Sequence, residues 1–181
     1  MVTGGIVMNP VLETLLTRRS IRSFTSQPVS KEDLQTIVNA AIYAPSGMNR
    51  QTWQFTVVDD ADTIAHLAKV VGAADGRGPD YDFYKPTAII IATNHKDSRH
   101  GCPDCSCALQ NIFLAAHSLG IGSVWINQLN ATCHMPAVRA ELTRLGVPTE
   151  HVVYGMAALG YAATPVKEPN NNTAAIHFYQ P

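Results

Sequence analysis

The 181-residue chain is long enough for one domain with a substantial core, and 46% of its residues are hydrophobic while 15% are charged. A formal net charge of −1 and a pI near 6.6 exclude the basic balance that holds nucleic acids or anionic membrane surfaces. The low charge density points instead to apolar surface covered by a partner, a second copy of the chain being the simplest. The opening MVTGGIVMNP has neither a basic n-region nor a long apolar core and does not read as a secretory signal. Residues 1–8 read as a flexible extension, with Met8 as an alternative start. No uncharged apolar run approaches the roughly 18 residues that span a bilayer. The expected location is therefore the cytoplasm, with four reduced cysteines and no membrane partner.

Pro10 to about Thr17 reads as a helix capped by Asn9, with Val11, Leu12, Leu15 and Leu16 on one stripe. Ser30-Lys31-Glu32-Asp33 opens a second helix, whose inward positions are Leu34, Ile37, Val38, Ala41 and Ile42. Pro45-Ser46-Gly47 ends it. Trp53 to Val58 alternates like a strand, and Asp60 to about Val71 returns to helical spacing. Gly72 to Pro86 reads as an exposed loop. Thr87 to Thr93 (TAIIIAT) is a continuous β-branched run, as in a strand buried on both faces. Residues 103 to 119 form the strongest helical pattern, followed by a turn and short strand from Gly120 to Asn127. A helix from Pro136 to Leu145 and a strand from Val152 to Leu159 complete the regular elements. Residues 162–181 read as an extended arm. The alternation predicts a single three-layer α/β or α+β domain over residues 1–181.

Three segments carry chemistry. Arg18-Arg19-Ser20-Ile21-Arg22 offers three guanidiniums and a hydroxyl, a set suited to a phosphate because arginine presents planar paired donors. The plainer alternative is a cationic helix C-terminus. Pro45-Ser46-Gly47-Met48-Asn49-Arg50-Gln51 presents a hydroxyl and two side-chain amides on a turn. An amide carries a donor and an acceptor together, which matches the uracil-like edge of a flavin; the alternative is an ordinary helix-to-strand connection. Gly120-Ile121-Gly122-Ser123 lets backbone approach a flat ring, or is simply a helix C-cap. It leads into a strand instead of opening a helix, so it is not a dinucleotide fingerprint.

In this order the segments RRSIRSF, PVSKEDLQTIVNAAIYAPSGMNRQTWQF, ALQNIFLAAHSLGIGSVWIN and GYAATPVKEP resemble the nitroreductase family of FMN-dependent oxidoreductases, from about Leu12 to Pro169. The resemblance implies an α+β fold, a mixed sheet flanked by helices, in an intertwined homodimer whose C-terminal arms cross between subunits. It implies that Arg18, Arg19, Ser20 and Arg22 grip the FMN phosphate. Pro45, Ser46, Gly47, Asn49 and Gln51 would reach ribityl and ring from the partner subunit. Ile126 and Asn127 would lie against the isoalloxazine, and Lys167 would add a phosphate contact. The sequence departs from the family pattern just after that lysine, where Glu168-Pro169-Asn170 stands in place of a second basic residue.

The implied activity is transfer of electrons from NADH or NADPH to small oxidised acceptors such as nitroaromatics or quinones by a ping-pong mechanism. The cofactor carries the reaction, so no catalytic side chain is assigned. Alternatives on the same fold are dehalogenation, flavin breakdown and a non-catalytic flavin carrier. Tyr81, Phe83 and Tyr84 either line the acceptor pocket or pack their loop onto the core. Cys102, Cys105 and Cys107 have spacing that can hold a metal or form a redox pair. Without a second matching pair they read as inert thiols and no metal site is assigned.

Overall fold

Side-chain oxygens open the first three helices. Asn9 Oδ1 accepts from the Leu12 N–H at 2.9 Å, Ser30 Oγ from the Asp33 N–H at 3.0 Å, and Asp60 Oδ1 from the Thr63 N–H at 2.8 Å. Each bond satisfies one donor that a helix start leaves unpaired. The helices are α1 (Pro10–Thr17), α2 (Lys31–Ile42), α3 (Ala61–Ala74), α4 (Gly101–Ser118), α5 (Gln128–Thr132) and α6 (Pro136–Arg144). The strands are β1 (Trp53–Val58), β2 (Ala88–His95), β3 (Gly122–Ile126) and β4 (His151–Gly160). The computed structural model describes residues 8–166 and 173–180. The expected extension at 1–7 and the first part of the arm, including Lys167, lie outside the described residues.

The strands form one sheet in the order β1-β2-β4-β3, and each neighbouring pair runs antiparallel. Among the described residues, parallel pairing is confined to the single bridge between Ser20 and Ser123. In β2, Ile89 and Ile91 face a core shared with α3, α5 and α6, whereas Ala88, Ile90 and Ala92 face α2 and α4. This two-residue alternation with both faces covered explains why β2 reads as an unbroken apolar run. The result is a three-layer sandwich. Opposite Ala92 and Thr93 the register slips, so that Tyr154 is an extra residue in β4, a bulge that re-aims its side chain.

The expected exposed loop at 72–86 is corrected in part. α3 runs on to Ala74, and Phe83 is fully buried, its ring edge-on to Tyr81 at 5.2 Å. Composition hides this because one aromatic suffices to anchor a polar segment. Phe83, Tyr84 and Lys85 all take left-handed backbone (φ 54°, 70° and 53°). Asp82 holds that turn: its carboxylate accepts from the Tyr84 N–H and its carbonyl from the Lys85 N–H, both at 2.9 Å. α5 has no counterpart in the sequence expectation. Ile42, expected inward, sits at the end of α2 and is 47% exposed. α1 buries none of its residues, and Val11, Leu15 and Leu16 remain exposed. So do Ile176, Phe178 and Tyr179 in the arm. Among the described residues, nothing of the same chain covers these apolar faces.

Candidate functional site

The arginine segment is fixed from two sides. The Ile21 N–H donates to the Ser123 carbonyl at 2.9 Å, which binds the segment to the start of β3. The Thr25 N–H reaches the Tyr161 carbonyl at 2.8 Å, and Phe24 bridges Ala162 just past β4. The Thr17 hydroxyl pairs with His117 Nε2 at 2.8 Å, seating the end of α1 on the C-terminal end of α4. Arg18 lies over the Phe113 ring, 5.9 Å from its centre. Its burial, and then the charge of Arg19, push the Arg18 guanidinium down from its ordinary value. Burial first, then Arg18 and Arg19, likewise lower His117. Ser20 and Arg22 are exposed.

Arg19 is the informative member. One terminal nitrogen, Nη1, donates to the Arg18 carbonyl at 3.0 Å, but Nε and Nη2 are buried without a partner. The Ser123 hydroxyl, on the strand bridged to Ser20, is also buried and unpartnered. Buried donors are nearly always paired in native proteins, and orphaned ones mark places where a missing group completes the bonding. The convergence of cationic and hydroxyl donors here fits an oxyanion, above all a phosphate.

The second segment is a strained turn. A short 3-10 turn spans Gly47–Asn49, and Met48, Asn49 and Gln51 all have positive φ (56°, 53° and 49°). Left-handed backbone at such residues costs about 1–3 kcal/mol each and persists only where the surroundings enforce it. The enforcing contacts are visible. The Gln51 N–H donates to Ser46 Oγ at 3.0 Å, Gln51 Nε2 donates to Asn49 Oδ1 at 2.8 Å, and the Gly47 N–H donates to the buried carboxylate of Asp104 at 2.9 Å. A Cβ at Gly47 would stand 2.4 Å from the His100 ring, so only glycine fits. Pro45, Asn49 and Gln51 are exposed on the outer side of this turn.

These two halves do not meet within one chain. The arginine segment belongs to the His117 end of α4 and the turn to its Asp104 end, roughly 20 Å apart at about 1.5 Å of rise per residue. At the close of β3, Ile126 is buried and pairs with Met156, while Asn127 is exposed and accepts from Trp125 Nε1 at 3.3 Å. Asp104, His100, His117 and Ser123 are contributors that motif reading passed over. Ser123 stands in the GIGS motif, whereas Asp104 lies between Cys102 and Cys105, where no motif marks it. The aromatic loop belongs elsewhere: Phe83 is core, and the Tyr81 hydroxyl donates to Gln128 Oε1 at 2.9 Å. Tyr81 and Lys85 line a separate groove of about 820 Å³ together with Phe24, Pro28 and Ile64, which holds none of the described candidate FMN-binding residues. Among the described residues, no group of three or more His, Cys, Asp or Glu is placed to hold a metal ion.

The model of the nitroreductase family matches residues 15–161, and the chain belongs to that family. A crystal structure of a nitroreductase with bound FMN from Bacteroides fragilis is 38% identical and superposes with a TM-score of 0.88, covering 96% of this chain and 100% of that one. A protein from Archaeoglobus fulgidus, provisionally named NADH dehydrogenase/NAD(P)H nitroreductase, is 37% identical over 158 residues, 85% of this chain and 86% of its own. The NADPH-flavin oxidoreductase of Vibrio harveyi is 32% identical over 160 residues, 82% of this chain and 65% of its own.

Proposed function

We propose that this chain is an FMN-dependent oxidoreductase that takes electrons from NADH or NADPH and passes them to small oxidised acceptors such as nitroaromatics or quinones. Donor and acceptor use one cavity in turn, in a ping-pong order. The observation that carries this reading is that Nε and Nη2 of Arg19 are buried without a partner, as is the Ser123 hydroxyl on the strand bridged to the neighbouring Ser20. Arg18, Arg19, Ser20 and Arg22 hold the phosphate, with Lys167 as a further contact. Ser46, Gly47, Asn49 and Gln51 present backbone and amide groups to the polar edge of the ring, with Pro45 stiffening the approach. Ile126 and Asn127 line its face. Bound FMN supplies the reversible two-electron chemistry that the side chains lack.

The residues of the chain act by binding and orienting. Cations at the phosphate and amide donors at the ring edge favour negative charge there, an effect that grows in a site from which water is excluded. The roughly 20 Å between the two halves supports a homodimer in which one subunit supplies the arginine segment and its partner the turn. The exposed apolar face of α1 and the aromatic arm residues Phe178 and Tyr179 support the same arrangement. The test is a visible spectrum of the purified protein reconstituted with FMN, followed anaerobically. Twin flavin bands bleached by NADH or NADPH and restored by a quinone are expected. Bands that bleach with neither donor would leave a flavin carrier, and absence of FMN binding would remove the reading.

A further inference from the structure

We propose that Cys102 and Cys105 are a reversible dithiol–disulfide pair that exchanges with small-molecule disulfides and alters the grip of the adjoining Ser46–Gln51 turn. Cys102-Pro103-Asp104-Cys105 occupies the first turn of α4. Residues three apart on a helix share a face with Cβ atoms about 5–6 Å apart, and a slight tightening brings them to the roughly 3.5–4.5 Å of a disulfide. Pro103 fits this turn because the first N–H groups of a helix have no helical acceptor. The first helical bond runs from the Asp104 N–H to the His100 carbonyl at 2.9 Å.

The two sulfurs differ as an exchanging pair requires. Cys102 is exposed and open to an external disulfide, whereas Cys105 is fully buried and closed to one. Burial, then Asp104, then Cys102 push the Cys105 thiol up to about 12, so Cys102 and not Cys105 is the sulfur that meets an external disulfide. Asn94 provides a second observation. It is fully buried, and its Oδ1 accepts from the Thr52 hydroxyl at 2.7 Å and the His95 N–H at 2.8 Å. Its Nδ2 has no partner, while the same side chain favours a charged Cys105 by hydrogen bonding. Asn94 thus holds a buried donor free for the sulfur that carries charge during exchange.

The step balances. The Cys102 sulfur attacks one sulfur of RSSR, forming a mixed disulfide and releasing RSH. The Cys105 sulfur then attacks Cys102 Sγ and releases the second RSH. Two thiols of the protein are oxidised, one external disulfide is reduced, and the two thiol protons leave on the two RSH.

The consequence for the turn follows from Asp104, which lies between the two cysteines and accepts the Gly47 N–H. There is little slack around it. Gly47 is against the His100 ring, and a Cβ at Gly101 would stand 2.7 Å from the Tyr154 hydroxyl. Closing the disulfide shifts the Asp104 peptide and loosens the turn. This last effect rests on the flavin reading above; the thiol chemistry does not.

The experiment treats the FMN-loaded full-length protein with glutathione disulfide, alkylates free thiols and maps them by mass spectrometry. A Cys102–Cys105 cystine, reversed by dithiothreitol, is expected in the unmodified protein and in Cys107→Ser, and is expected to be lost in Cys102→Ser. FMN should bind the oxidised protein about tenfold more weakly than the reduced, the factor carried by one hydrogen bond to a charged group. Cys102→Ser should show no change on the same treatment. Full alkylation of both cysteines, or a mixed disulfide that persists on Cys102, overturns the pair. A cystine that leaves FMN affinity unchanged overturns the link through Asp104. A protein that binds no FMN in either state refutes the flavin reading, while the mapping still decides the pair.

Discussion

Replacing Arg19 by methionine should move stability and cofactor affinity in opposite directions. Methionine keeps an unbranched apolar stem, ends short of the guanidinium position and removes the charge. In the flavin-free protein that guanidinium leaves Nε and Nη2 buried and unpaired and makes one bond, from Nη1 to the Arg18 carbonyl. An unsatisfied buried donor costs about 1–3 kcal/mol, and an ordinary hydrogen bond contributes about 1 kcal/mol. Relief of two such donors outweighs loss of one bond by about 1–5 kcal/mol, and the space left beyond the shorter methionine offsets part of it, leaving a net gain of about 1–2 kcal/mol. For a chain of this length that gain raises the unfolding midpoint by about 2–8 °C. Binding moves the other way. Loss of hydrogen bonds to a charged group removes about 1.5–3 kcal/mol, so FMN affinity falls between about tenfold and about 150-fold. Thermal unfolding without FMN and a fluorescence titration with FMN read the two effects separately. A variant that is less stable when flavin-free, or that binds FMN unchanged, would refute the claim that Arg19 awaits a phosphate.

Gly47→Ala must displace either the turn or the His100 ring, because the added carbon meets that ring at 2.4 Å. A loss of about 1–3 kcal/mol in urea unfolding is expected, with part restored by a second change, His100→Ala. Phe83→Ala should cost about 3–5 kcal/mol in the same assay, since the ring is fully buried, although its segment reads as a surface loop. His117 is lowered below its ordinary 6.5 by burial, then by Arg18 and Arg19. The unfolded chain therefore takes up this proton first as pH falls. Stability should be full above about pH 6.5 and decline through the lower folded value, with His151 contributing in the same sense. His117→Gln should flatten part of that decline, and an imidazole titration by NMR at or above 6.5 would contradict it.

Much of the fold was legible because periodicity is local. The β2 run is apolar at every position because both faces are covered, and Asn9, Ser30 and Asp60 cap the helices that they precede. Which of Tyr81, Phe83 and Tyr84 anchors its loop in the core was not legible, since aromatics among glycines and acids give no period. Nor was the exposure of Ile42 and the α1 stripe, because a helical pattern marks an apolar face without saying which chain covers it. The donors of Arg19 and Ser20 suit a phosphate, a reading that the residue types alone left beside a plain cationic helix end. That Arg19 is the unpaired one depends on its seat beside β3, and that Asp104 anchors the turn depends on a contact between residues far apart in sequence. The strain at Met48, Asn49 and Gln51 is equally invisible in a sequence, where none of the three is a glycine.

The central claim is that one FMN site joins the arginine segment of one subunit to the Ser46–Gln51 turn of the other. It is tested by mixing two variants, Arg19→Met and the double change Asn49→Ala with Gln51→Ala, each defective alone. Reassembled mixed dimers should regain one intact site per dimer, seen as recovered FMN binding at half the stoichiometry of the unmodified dimer. Mixed dimers that form, yet bind no better than either variant, would place both halves of the site in a single chain and contradict the account.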